Sequence, residues 1–447
     1  MKKYLFILGL VCTALLTACS TADDLVADIP SQGLTEEEKA MIVEAGQDSD
    51  VPITLGTETE RGMTRAPLDP YDNATKIFET PTGQYIGVFC LASGKQTGAP
   101  DFVPDGSTNS IYWNTHDYAT WLDNVPAKVE KYDAGTGPLS EATNAYSYVS
   151  FLDSISLPTE RSKVYYYPFG NWYHYDFFAY YPRQAKRNVW VGQGRVVVDF
   201  TIDGSQDIIV GKALGSAKAP INGVNAYSAK YMRLAGTENI PNLEFTDHKL
   251  TQLVFSIKPH FGDASDLKDK GYRLTGMKII DVYNQLELYA AERGGQNGTL
   301  RIKNLSGTSD IPVRKTDGTD VPASSIIVST DDDVAAVDAE HITSKPVGYA
   351  MVPTSDMLTT ASKTNQYLVS IEMEQKDETG KYPGEDGYSG NPVPNTVVTL
   401  PLPEGGKYEA GKKYSITLEI YNPTNIQATA TLVGWGDPVV IPAIPVE

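Results

Sequence analysis

Cys19 is the residue of this chain whose type and setting most clearly imply chemistry. It follows Leu16-Thr17-Ala18. Small side chains ahead of a cysteine offer a peptidase its site and leave a thiol for acylation, which is the pattern of a bacterial lipobox. The competing reading is an ordinary export signal that happens to contain a cysteine. The other thiols have less to do. Cys12 lies in the apolar run before Cys19, and Cys90 sits in Tyr85-Ile-Gly-Val-Phe-Cys-Leu91, where a buried, inert thiol is expected. With Cys12 removed and Cys19 acylated, Cys90 has no disulfide partner. The five histidines, at 116, 174, 248, 260 and 341, form no His-x-x-x-His metal pair. His248 reads as a hydrogen-bonded residue at a strand start. There is no glycine-rich phosphate loop and no Gly-x-Ser-x-Gly elbow. Asp331-Asp332-Asp333 lacks the alternating ligands and later glutamate of a calcium loop and reads as a solvated turn. No catalytic residue, metal or cofactor is expected.

The elements around Cys19 fit export. Lys2 and Lys3 precede an apolar run, Tyr4 to Leu16, that is short for a membrane span and suits a signal-peptide core; residues 1–18 are read as the signal. Acyl chains on Cys19 would then be the only membrane attachment, worth roughly 0.8 kcal/mol per buried CH₂. Residues 19–65 form an acidic leader, with eleven acidic and three basic residues. Within it, Thr35 to Glu44 fits a short helix with Thr35 as N-cap and Glu38 completing a capping box, against the alternative of a disordered tether. Val51-Pro52-Ile53-Thr54-Leu55 reads as a strand. The net charge of −19 argues against nucleic acid and anionic lipid as partners.

After Arg65 the texture changes to one rich in glycine (38), proline (28) and tyrosine (27) over the whole chain. Apolar residues alternate at Val196, Val198, Phe200 and Ile202, with Arg195, Asp199 and Thr201 on the other face. The same holds for Leu253–Ile257, Tyr367–Met373, Tyr414–Ile420 and Ile426–Leu432. Period-two alternation between turn residues predicts strands with one buried face, hence an all-β chain of tandem β-sandwiches. Expected domains are 66–262 and 263–447. Ala92–Gly106, Lys212–Ala235 and Ser306–Val321 read as loops. Two aromatic-rich stretches, Val164–Pro182 and Ile111–Asn114 with Trp121, suit either a sandwich core or a sugar-binding face.

Several motifs together resemble those of the fimbrillin-like proteins of Bacteroidales, the type V pilins. They are Asp176-Phe-Phe-Ala-Tyr-Tyr-Pro182, Gln206-Asp-Ile-Ile-Val-Gly-Lys-Ala213, Phe245-x-x-His248 with the strand after it, Gly411-Lys-Lys-Tyr-Ser-Ile-Thr-Leu418, and Gly434-Trp435. The resemblance spans most of the residues after the leader. It implies two Greek-key, transthyretin-like sandwiches exported as an outer-membrane lipoprotein and assembled into an extracellular fimbria that supports adhesion. It also implies maturation by an arginine-specific protease, with Arg65 the expected cleavage residue and Arg61 the second choice. Cleavage would remove a first strand carrying Val51, Ile53 and Leu55. A sister subunit's carboxy-terminal strand would fill the groove by β-augmentation. That donor is expected within Ile426–Val446, on Ile426, Ala428, Ala430, Leu432, Val439 and Ile441, although Pro438, Pro442 and Pro445 interrupt the tail. Expected partners are other pilin subunits, the protease, and a surface receptor or glycan. The alternative reading is a glycan-binding surface lipoprotein that keeps its leader and uses the Tyr165–Tyr181 aromatics, Trp172 among them.

Overall fold

Alternating apolar side chains and frequent turns produce sheets throughout the chain. The computed structural model describes residues 33–58, 80–103, 113, 119–131, 147–155, 160–192, 194–236, 239–260, 271–293, 297–305, 307–315, 326–327, 344–358 and 366–433. The fold class is all-β. Cys19, Arg61, Arg65, Asp331–Asp333, Val439 and Ile441 lie outside the described residues.

The largest sheet runs β2 (Gly56–Glu58), β12 (Asn242–His248), β11 (Ile209–Leu214), β8 (Tyr173–Tyr181), β3 (Ile86–Lys95), β4 (Thr120–Lys131), β5 (Ser147–Ser154) and β6 (Arg161–Ser162). Because β2 also pairs with β5, this sheet closes on itself. A separate ribbon joins β1 (Asp48–Pro52) to β7 (Tyr166–Pro168). A four-stranded sheet follows the order β16 (Thr299–Ile302), β15 (Gln285–Glu292), β10 (Arg195–Thr201), β9 (Val189–Gly192).

The remaining two sheets form a sandwich. One is β19 (Lys345–Val352), β13 (Thr251–Pro259), β22 (Lys413–Asn422), β23 (Asn425–Val433). The other is β17 (Ser309–Pro312), β14 (Arg273–Val282), β20 (Leu368–Glu374), β21 (Thr396–Thr399), with β18 (Ile326–Ile327) beside β14. Two α-helices are described, α1 (Glu36–Ala45) and α2 (Ala229–Ala235).

The alternation predicts burial well. Val196, Val198 and Phe200 are buried while Arg195 and Thr201 are exposed. Tyr414, Ile416, Leu418 and Ile420 are all buried on one face of β22. The aromatic stretch before Pro182 is mostly core. β8 buries both faces: Phe178 meets Trp113, Tyr180 meets Phe89 and Phe200, and Phe177 on the opposite face meets Tyr167 and Tyr227. Trp172 is half-buried with its ring edge-on to Phe102. Cys90 is fully buried, and burial pushes its thiol well above the ordinary range, as an inert thiol requires.

Several expectations need correction. The sheets do not part at residue 262. β13 lies before it yet pairs with β19 and β22, and β10 pairs with β15 across it, inside one continuous core. The stretch 212–235 holds the end of β11 and the helix α2, which Ser228 caps by accepting from the Tyr231 N–H. The stretch 306–321 contains β17, and β3 runs on to Lys95 inside 92–106. Phe245-x-x-His248 closes β12 instead of opening a strand. His248 is buried there, its Nδ1 2.5 Å from Oδ2 of the buried Asp207.

His174 carries a pH prediction. It lies opposite Gly94 across the β3–β8 pair, and a Cβ at Gly94 would overlap the imidazole. Its Nδ1 is buried without a hydrogen-bond partner among the described residues, and burial holds its pKa below 6.5. The folded state therefore resists protonation more than the unfolded chain does. This contribution is complete above 6.5 and is lost as pH falls from there through the lower folded value. Urea midpoints taken at about pH 7.5 and about pH 5.5 should fall more for the wild type than for His174→Phe.

Candidate functional site

The leader docks as three consecutive pieces. α1 begins at Thr35, whose Oγ1 accepts from the Glu38 N–H at 3.2 Å while the Glu38 carboxylate accepts from the Thr35 N–H at 2.7 Å. The expected capping box is thus formed. The helix buries Ile42 and Ala45 and ends where the Gly46 N–H reaches the Ile42 carbonyl. The chain then enters β1. The Gly170 N–H donates to the Ala45 carbonyl at 2.8 Å and the Phe169 N–H to the Gln47 carbonyl at 2.7 Å, and Asp48 and Pro52 register with Pro168 and Tyr166. Arg233 on α2 pairs with Asp50, whose carboxyl is lowered mainly by that contact.

The strand expected at Val51–Leu55 is instead the junction of two strands, β1 and β2. Pro52 has no N–H to continue the β1 ladder, and the chain changes partners there. The Ile53 N–H donates to the Tyr165 carbonyl at 2.7 Å, the Val149 N–H donates to the Leu55 carbonyl at 3.0 Å, and the Gly56 N–H donates to the Pro241 carbonyl at 3.0 Å. β2 then runs parallel to β12, with Gly56 opposite Asn242, and antiparallel to β5, with Thr57 opposite Ser147. Ile53, Leu55 and Thr57 point inward at 4, 0 and 1 % exposure, and Val51 is half-buried. The Thr57 and Ser147 hydroxyls hydrogen-bond to each other out of solvent.

The leader therefore occupies a slot with two polar edges and an apolar floor. Taking it away would leave N–H and C=O groups of β5, β7 and β12 without partners and uncover the core beneath Ile53 and Leu55. Ile53 and Leu55 were named in the strand that the resemblance implies. The sequence did not identify the switch from β7 to β5 and β12, because each partner lies far away along the chain.

At the other end, β23 pairs with β22 along its length, from Asn422 opposite Asn425 to Lys413 opposite Val433. It is the last strand of its sheet. Ile426, Ala428 and Ala430 are half-buried against the core of the same chain, and Leu432 is 48 % exposed. Of the expected donor residues, these four thus sit in an in-chain hairpin.

Among the described residues no group of His, Cys, Asp and Glu is arranged to hold a metal ion, and no helix is long and apolar enough to cross a membrane. No family model and no curated protein matches the chain. Solved structures do. One, from Bacteroides uniformis, is 14 % identical over 87 % of this chain and 100 % of its own, with a TM-score of 0.43. Another, from Bacteroides fragilis, is 12 % identical over 88 % of this chain and 100 % of its own, with a TM-score of 0.35. A third, from Parabacteroides distasonis, is 10 % identical over 88 % of this chain and 98 % of its own, with a TM-score of 0.37. Each of the three is named a "putative cell adhesion protein".

Proposed function

We propose that this chain is the precursor of a surface fimbrial subunit, exported as an outer-membrane lipoprotein through Cys19 and freed for assembly by cleavage at Arg65 or Arg61. The observation that carries the reading is β2. A three-residue strand from the leader is the piece that joins β5 to β12, and the two arginines follow it within seven residues of Glu58. A sandwich closed by a segment that a protease can detach is kept from polymerising until it is cut. The incoming strand must satisfy the same two edges, so it must run parallel to β12 and antiparallel to β5. It must also supply apolar side chains at alternate positions to replace Ile53 and Leu55.

The tail after β23 suits this role better than β23 itself, because β23 already completes its own sheet. The prolines of the tail are compatible with the slot, since its present occupant contains Pro52, within β1 and just ahead of the buried Ile53. Val439 and Ile441 then become the apolar pair offered to the groove. The assembled fibre would present the sandwich surfaces for adhesion. Fibres stripped from cells should give an amino-terminus at Ala66 or Gly62 on sequencing. A lipidated Cys19 on every copy in the fibre would defeat the reading.

A further inference from the structure

The outward face of the four-stranded sheet carries a cleft of about 430 Å³. Its position follows from the alternation of β10. Val196, Val198 and Phe200 turn to the core, so Arg195, Val197 and Asp199 turn out. Across the ladders Val197 stands between Trp190 on β9 and Tyr289 on β15, and Asp199 stands opposite Glu287. This row gives an aromatic shelf beside two adjacent carboxylates.

Trp190 is 53 % exposed. Its indole is nevertheless held in place. It lies over Gly192, two residues along the same face, where a Cβ would overlap ring atoms Cζ2 and Cη2. Tyr289 is nearly buried, with the guanidinium of Arg301 4.2 Å from its ring centre and that of Arg195 5.9 Å from it. Lys303 pairs with Asp199. Arg187 and Arg195 then face the cleft against Glu287 alone, so the lining is net positive on a chain whose net charge is −19.

We propose that this cleft binds a saccharide bearing a carboxylate. A fixed, exposed indole offers a flat face to the C–H side of a pyranose ring. Asp199 and Glu287 accept from sugar hydroxyls, and planar guanidinium groups suit a carboxylate through paired N–H donors. A cleft of this size is in the range of small-ligand sites, roughly 300–1,000 Å³. The aromatic residues that bind here differ from those of the Tyr165–Tyr181 stretch, most of which are consumed by the core. The site lies outside the leader slot and acts in the uncut precursor, so its test is independent of polymerisation.

The test titrates the full-length precursor with tetragalacturonate and with 3′-sialyllactose, using lactose as the neutral control. At least one acidic sugar should bind about tenfold more tightly than lactose. Trp190→Ala should weaken that binding by about tenfold or more while leaving the chain folded, because the side chain lies at the surface and outside the core. The double variant Arg187→Gln, Arg195→Gln should bring the acidic sugar down to the level of lactose. The proposal is overturned if neither acidic sugar outbinds lactose, if Trp190→Ala binds as the wild type does, or if the arginine variant keeps the preference.

Discussion

Replacing Leu55 by Asp should leave the uncut chain folded but make it lose its leader once it is cut. Leu55 is fully buried, and burying such a side chain is worth about 1.5–3 kcal/mol. Ile53 contributes on the same scale, and the hydrogen bonds from Val149, from Gly56 and to Tyr165 hold the backbone. An aspartate at 55 removes the apolar gain and adds the cost of an ionised group with no partner in the slot. In the uncut chain residues 59–79 tether the leader, so a weakened segment still finds its slot at an effective concentration on the order of millimolar. Cutting at Arg61 or Arg65 removes that advantage. After treatment with an arginine-specific protease, wild-type leader should co-elute with the body on gel filtration. Leu55→Asp leader should separate, and its body should give heat-labile, SDS-resistant ladders sooner and at lower concentration. The double variant Arg61→Lys, Arg65→Lys should yield no ladders. Identical leader retention in the wild type and Leu55→Asp would remove the slot from the account.

The docking of residues 33–58 was partly legible in the sequence. Val51–Leu55 read as extended chain, and Thr35 with Glu38 announced α1, because both signals depend on neighbours within a few residues. The partners of β2 were not legible. Ser147 and Asn242 lie 90 and 186 positions from their partners Thr57 and Gly56, and no local pattern encodes such a pairing. The same limit explains the boundary at 262. The expected domains 66–262 and 263–447 follow local texture, while the pairing that ties β13 to β22 depends on residues beyond 412. The Trp190 cleft escaped for a related reason. The polar face of β10 was visible, but the assembly of that face with Trp190 on β9 and with Glu287 and Tyr289 on β15 joins strands from two regions of the chain.

Deleting residues 434–447 should abolish assembly and leave the precursor folded, since the β22–β23 pairing is complete at Val433. The alternative donor, β23, has a different cost. It registers with β22 at nine positions, and its half-buried Ile426, Ala428 and Ala430 cover a strand whose Ile416, Leu418 and Ile420 are wholly buried. Lending β23 to a sister molecule would open that edge, giving up in one subunit much of what is gained in the other. A tail lent from beyond Val433 leaves the β22–β23 ladder intact. Two point variants separate these cases. Val439→Asp with Ile441→Asp should block ladder formation as fully as the deletion. Leu432→Asp, at a side chain already 48 % exposed, should assemble as the wild type does. Ladders from the deleted chain, or their loss in Leu432→Asp, would transfer the donor role to β23. The polymer would then have to open the β22–β23 hairpin at every junction, and assembly would slow in proportion to the stability of that hairpin.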